Sequence, residues 1–207
     1  MIKNRWRGKF ILVEGIDGAG KTTALKDILQ YFAEHFDAVY LKGVAGNGFF
    51  GRLAKKFLAG WAFALELLHT TYFCLMPALQ NGKLVLMDKY FFFVASHVPE
   101  SERILDRLAF GCIAPFVIRP DLVIYFQCSP EERIRRLRNM PYSAAHQRII
   151  NNPSWIMERE KAYLQKFALS GVRVVSFDNT DLNIEETSRV LQEFICDFMT
   201  TEVPHGS

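Results

Sequence analysis

The chain has 207 residues, half of them hydrophobic, with a formal net charge of +3 and four cysteines. That length supports one domain with a substantial core, and basic residues dispersed rather than clustered argue against a nucleic-acid partner. Cys74, Cys112, Cys128 and Cys196 lack C-x-x-C spacing and sit among apolar residues, which predicts buried free thiols in a reducing, cytoplasmic compartment. The basic N-terminus (Lys3, Arg5, Arg7, Lys9) precedes an apolar run too short for a signal peptide.

That run, Phe10-Ile11-Leu12-Val13, predicts a strand buried on both faces. Gly15 to Thr22 follows and fits G-x-x-x-x-G-K-[ST]. Leu25, Ile28, Leu29 and Phe32 then recur at helical spacing. Strand, glycine loop and helix in that order give the motif its structural context. Ala38 to Leu41 predicts a second strand, Lys42 to Gly48 a flexible loop with three glycines, and Phe50, Leu53 and Phe57 the inner face of a short helix. From about Trp61 to Gln80 the pattern predicts a long helix ending at Asn81-Gly82. Glu66, His69 and Pro77 interrupt its apolar character, so it is expected in the core and not in a membrane.

Leu84 to Met87 predicts a third strand with Asp88, Lys89 and Tyr90 at its carboxyl end, the edge where open α/β sheets bind ligands. Pro99 interrupts the next helical stretch, which resumes with Ile104, Leu105 and Leu108 inward. Leu122 to Phe126 predicts a fourth strand, and Ser129, Pro130 and Glu132 open a helix with a capping box. Asn139 to Asn152 lacks clean periodicity and is expected to be a loop or lid. A helix from about Pro153 to Phe167, a strand from Val172 to Phe177 and a helix opened by Asn183 and Glu186 complete residues 1–200, a single domain; residues 201–207 are expected to be a flexible tail. Strands alternating with helices imply an α/β fold whose parallel sheet has helices on both faces.

The loop chemistry follows from its residue types. Gly15, Ile16, Asp17, Gly18, Ala19, Gly20, Lys21, Thr22 and Thr23 form an expected phosphate cradle, in which successive N–H groups and a helix N-terminus attract negative charge. Lys21, expected as an exposed loop lysine, reaches the β- and γ-phosphates of a nucleotide; the Thr22 hydroxyl ligates Mg²⁺, with Asp88 as a second metal residue.

Several stretches together resemble the thymidylate kinases, P-loop kinases that transfer a phosphoryl group from ATP to dTMP. They are VEGIDGAGKTT at Val13 to Thr23, PALQNGKLVLMDKY at Pro77 to Tyr90, PDLVIYFQCSPEERIRRL at Pro120 to Leu137 and VVSFDNTDLNIEE at Val174 to Glu186. The resemblance implies a three-layer α/β/α fold with a five-stranded parallel sheet. It also implies a lid near residues 138–152, ATP and Mg²⁺, and often a homodimer. It places Asp17, Asp88 and Lys89 beside Lys21 in the catalytic group and the acceptor near Phe63, Lys42, Lys89 and Asp17. Because the loop itself has no arginine, the resemblance asks the lid for one, and Arg138 and Arg148 are the candidates. The alternative for each arginine from Arg133 to Arg148 is a solvated helix face.

The acceptor side departs from the family pattern. Lys42-Gly43-Val44-Ala45 stands where the family has Arg-Glu-Pro-Gly, Leu67 where it has arginine, Lys89 where it has the arginine of Asp-Arg-Tyr, and His97-Val98 where it has Tyr-Gln. Arginine grips phosphate with a planar fork, lysine is a point charge and leucine offers neither. The expectation is a Mg²⁺-dependent nucleoside monophosphate kinase acting on nucleotides, with dTMP the first acceptor. The rivals are a deoxynucleoside kinase, which would want an acid after the second strand, and a nucleotide-binding switch with little turnover.

Overall fold

The computed structural model describes residues 1–43, 60–97, 111–141 and 143–201. The helices expected around Phe50 to Phe57 and Ile104 to Leu108 lie outside the described residues, as do Pro99 and residues 202–207. In chain order the principal elements are β1 (Ile2–Lys3), β2 (Lys9–Glu14), α1 (Lys21–Phe36), β3 (Ala38–Lys42) and α2 (Gly60–Thr70), which continues through a π-turn (Thr71–Leu75) into α3 (Met76–Gln80). Next come β4 (Leu84–Asp88), α4 (Phe91–His97), β5 (Ile118–Arg119), β6 (Leu122–Gln127), α5 (Pro130–Arg138), α6 (Ala144–Asn151), α7 (Pro153–Ser170), β7 (Val174–Asp178) and α8 (Ile184–Thr201).

As expected, five strands form a parallel sheet; they lie in the order β3-β4-β2-β6-β7. Side chains of a strand alternate between faces, and here both faces are apolar. Phe10 and Leu12 of β2 share one core cluster with Val85, Met87, Val123 and Tyr125, while Ile11 and Val13 share the other with Leu84, Leu86, Leu122 and Ile124. Leu67, Leu75, Leu79, Tyr163 and Phe167 cover the first face; Leu25, Ile28 and Phe32 of α1 and Leu191, Ile195 and Phe198 of α8 cover the second. Each such side chain contributes roughly 1.5–3 kcal/mol by leaving water.

Among the described residues, the run Ala62–Gln80 is long and apolar enough to cross a membrane by length and composition alone. Its side chains Ala64, Leu67, Leu75 and Leu79 instead pack on the sheet, so it serves as a core helix. Two expectations are corrected. Residues Ala144–Asn151 form a helix, not a loop, and Ile149 anchors it in the core. Cys112 is exposed, although the four thiols are free as expected. The two-residue pair β1–β5 was too short to leave a periodic signal. At the capping box of α5, the Ser129 hydroxyl accepts from the Glu132 N–H, but the Glu132 carboxylate turns to Arg135 and Arg136.

Candidate active site

The chain changes direction across the sheet between β2 and β6, which are neighbours, and the glycine loop leaves β2 at that point, where α/β sheets bind ligands. Gly15 takes φ 140°, and a Cβ there would lie 2.5 Å from the Phe126 carbonyl oxygen. Gly18, at φ 88°, is equally closed, with Arg133 Cγ and Leu137 Cγ within 3 Å of a would-be Cβ. The loop is thus wedged between β6 and α5. Asn179 ties it from the far side by donating its side-chain amide to the Ala19 carbonyl at 2.9 Å.

Lys21 is 4 % exposed, which corrects the expectation of an exposed loop lysine. Its ammonium donates to the Ile16 carbonyl at 3.0 Å. Burial pushes its pKa down, and the carboxylates of Asp88, Asp17 and Glu14 oppose that. Thr22 donates its hydroxyl to Asp88 Oδ2, while Asp88 Oδ1 is buried with no hydrogen-bond partner among the described residues. A hydroxyl beside a carboxylate oxygen left open suits a hard, oxygen-seeking cation such as Mg²⁺. The Tyr40 hydroxyl is pushed up to about 12 by partial burial and the Asp88 charge.

Lys89 turns the chain from β4 into α4 with φ 65°, a left-handed conformation rare for a residue with a side chain. Its ammonium donates to Asp17 Oδ1 at 2.7 Å and lies 4.6 Å from the centre of the Phe93 ring. Burial alone would raise the Asp17 carboxyl, but Lys89 and Lys21 overcome it and hold Asp17 down at about 2. Lys89 shows the converse: burial would lower it, and Asp17 raises it further. His146 of α6 also draws the Asp17 carboxyl down, so the charge of this helix is felt at the loop. The Nδ1 of His146 is buried with no hydrogen-bond partner among the described residues.

The remaining expected residues spread outward. Lys42 is opposite Asp88 in the β3–β4 register, with its side chain exposed. Phe63 packs against the core cluster that contains Ile16 and Tyr90. Arg138 is exposed at the end of α5, and Arg148 is exposed with its guanidinium over the Trp155 ring at 5.5 Å.

Sequence reasoning missed several residues. Arg133 is fully buried and paired with Glu160 at 2.9 Å. Arg136 bridges Glu132, the Asn179 side chain and the Asn179 carbonyl, at 2.7, 3.1 and 2.8 Å. Beside it a cavity of about 670 Å³ opens, lined by Gly18, Gly20, Thr23, Arg136, Asn179 and Leu182 among others. That volume suits a nucleoside. The stretch around Asn179 was already part of the resemblance, and that was the available signal. Glu14 is the largest omission: it is fully buried directly before the loop, its Oε1 accepting the Tyr90 N–H at 2.9 Å and the Phe93 N–H at 3.1 Å.

A parallel sheet, a wedged G-x-x-x-x-G-K-T loop at the end of its central strand and a carboxylate on the neighbouring strand define a P-loop phosphotransferase. A thymidylate kinase family model matches residues 13–192. A probable thymidylate kinase of Thermococcus gammatolerans is 26 % identical over 208 residues, covering 91 % of this chain and 98 % of that protein. A probable thymidylate kinase of Pyrococcus abyssi is 31 % identical over 147 residues, 64 % of this chain and 71 % of its own length. The solved thymidylate kinase of Candida albicans, described as having broad substrate specificity, shares the fold at a TM-score of 0.71 and 14 % identity, covering 95 % of this chain and 94 % of that one. The chain belongs to the thymidylate kinase family, and is an ATP-dependent nucleoside monophosphate kinase.

Proposed function

We propose that this chain transfers the γ-phosphoryl of ATP to dTMP, with Mg²⁺ held at the Thr22 hydroxyl and Asp88. The observation that carries this reading is the two-sidedness of the loop. A nucleoside-sized cavity opens on its α5–α8 side, and the Asp17–Lys89 pair stands on its β4 side. The donor base and ribose go to the cavity and the acceptor phosphate to Lys89. In this reading Lys42 and Phe63 are the further residues assigned to the acceptor.

An acceptor phosphate oxygen is already anionic and needs no general base. The electrostatics agree: Asp17, held at about 2, stays ionised at neutral pH and Lys89 stays protonated, so both serve charge and position, not proton transfer. Lys21 exchanges the Ile16 carbonyl for phosphate oxygens when ATP binds. The loop N–H groups and Lys21 hold the donor phosphates while Lys89 aligns the attacking oxygen, and a lid arginine, Arg138 or Arg148, meets the charge on the group in transit. Mg²⁺, which the Thr22 hydroxyl and Asp88 would hold, would supply positive charge to offset that of the phosphates. The free thiols fit a reducing cytoplasm. A homodimer, implied by the family resemblance, is read directly by sedimentation.

The test is a coupled ADP-release screen with Mg²⁺-ATP over nucleosides and nucleoside monophosphates. Turnover with dTMP and none with nucleosides supports the reading; turnover with nucleosides alone refutes it.

A further inference from the structure

The turn between β4 and α4 is held in a conformation that its sequence does not favour. A lysine at φ 65° is strained and persists only where its surroundings over-determine it. Four backbone contacts do so. The Lys89 N–H donates to the Val13 carbonyl at 3.2 Å, and the Gly43 N–H donates to the Asp88 carbonyl at 3.0 Å. The other two, from the Tyr90 and Phe93 N–H groups, converge on one oxygen, Glu14 Oε1. The second carboxylate oxygen lies 3.4 Å from the Tyr163 hydroxyl of α7. The same helix reaches the other end of α4, where Arg159 donates to the Ser96 carbonyl.

A carboxylate is an expensive choice for this place. Glu14 is fully buried, and burial drives its pKa up to about 7 against the pull of the two N–H groups and Lys21. It has no opposite charge in hydrogen-bond contact among the described interactions. Its geometry instead joins the strand that delivers the phosphate loop to the turn that delivers Lys89 and Phe93. Those two residues meet at the ammonium, with Lys89 Nζ over the Phe93 ring and on Asp17.

We propose that Glu14 is a positioning residue for the acceptor half of the site: by accepting the Tyr90 and Phe93 N–H groups on one oxygen, it fixes the strained Lys89 turn and sets the Lys89 ammonium and the Phe93 ring before the acceptor arrives. This rests on the reading that the acceptor phosphate binds at Lys89. Glu14 does not touch the acceptor, and its effect passes through the backbone of residues 88–93. Displacement of a binding group by about 1 Å is enough to lose about 10²-fold in rate.

The experiment compares Glu14→Asp and Glu14→Gln with the intact chain. Aspartate keeps the charge but withdraws the oxygen by one methylene; glutamine keeps the oxygen in place and loses the charge. The expected result is that E14D raises KM for dTMP at least about tenfold, with KM for ATP within about twofold, and that E14Q returns the dTMP value to within about threefold of the intact chain. Amide hydrogen exchange without substrates should be faster at Tyr90 and Phe93 in E14D and unchanged in E14Q. An E14D with the intact chain's KM for dTMP and unchanged exchange overturns the inference. So does an E14Q as impaired as E14D, or a parallel rise in both KM values. An intact chain inert to every monophosphate overturns the functional reading instead, while the exchange rates still decide whether the carboxylate fixes the turn.

Discussion

Glu14→Gln should make stability less dependent on pH, and the structure sets the size of the effect. In the fold the Glu14 carboxyl sits at about 7, against an ordinary 4.5, because burial disfavours its charge more than the Tyr90 and Phe93 N–H groups favour it. The unfolded chain therefore releases this proton first as pH rises, and between pH 4.5 and 7 the folded state holds more protons. Stability contributed by the protonated group is fully present below 4.5 and is lost as pH rises through 7. At about 1.4 kcal/mol per tenfold change in proton affinity, the folded chain loses about 3 kcal/mol across that window. Glutamine cannot ionise, and its carbonyl still accepts both N–H groups. The difference in stability between E14Q and the intact chain should thus grow by about 3 kcal/mol from pH 4.5 to pH 8, or about 6–12 °C in Tm for a chain of this size. Asp17 lies outside the window, because its stabilising charge is lost only below 3.8 as pH falls towards 2. The assay is thermal unfolding of both proteins without nucleotide, from pH 4.5 to 8. Parallel curves would show that the buried carboxyl does not titrate in this range and refute the reasoning.

Two further perturbations address the chemistry. Because Lys21 is buried, alanine would leave a hole, so Lys21→Met is the cleaner change; it should lower kcat at least about 10²-fold while circular dichroism stays unchanged. A folded K21M with undiminished turnover would place the phosphates elsewhere. If Arg138 or Arg148 meets the group in transit, its alanine variant should lower kcat by up to about 10³-fold with little change in KM for ATP. Intact kcat in both variants would leave that charge to Lys89 and direct attention to His146 of α6, whose charge acts on Asp17.

The parallel sheet and the loop were legible because β2, β4 and β6 are unbroken apolar runs and the loop motif is defined by spacing within eight residues. What was not legible depends on partners distant in sequence. Glu14 reads as a lone acid ending a strand; its burial is set by N–H groups 76 and 79 residues away. Arg136 reads as one of four arginines on a helix until Asn179, 43 residues on, supplies its acceptors. Lys21 reads as a loop side chain, but it folds back onto the Ile16 carbonyl and is buried beside Asp88, Asp17 and Glu14. The α6 helix escaped detection because eight residues give barely two turns, too few for an apolar stripe to stand out. On the acceptor side, the family resemblance singled out Phe63, and nothing local marked Phe93, whose ring lies under the Lys89 ammonium.

Parallel measurement of kcat/KM for dTMP, dUMP and the other common nucleoside monophosphates, with Mg²⁺-ATP and dTDP verified as product, tests the central claim most directly. The account predicts turnover with dTMP. With Leu67 and His97-Val98 in place of groups that would hydrogen-bond the acceptor, it also predicts dUMP or another monophosphate within about tenfold, a gap of roughly 1.4 kcal/mol. Binding of ATP without phosphorylation of any monophosphate would contradict it.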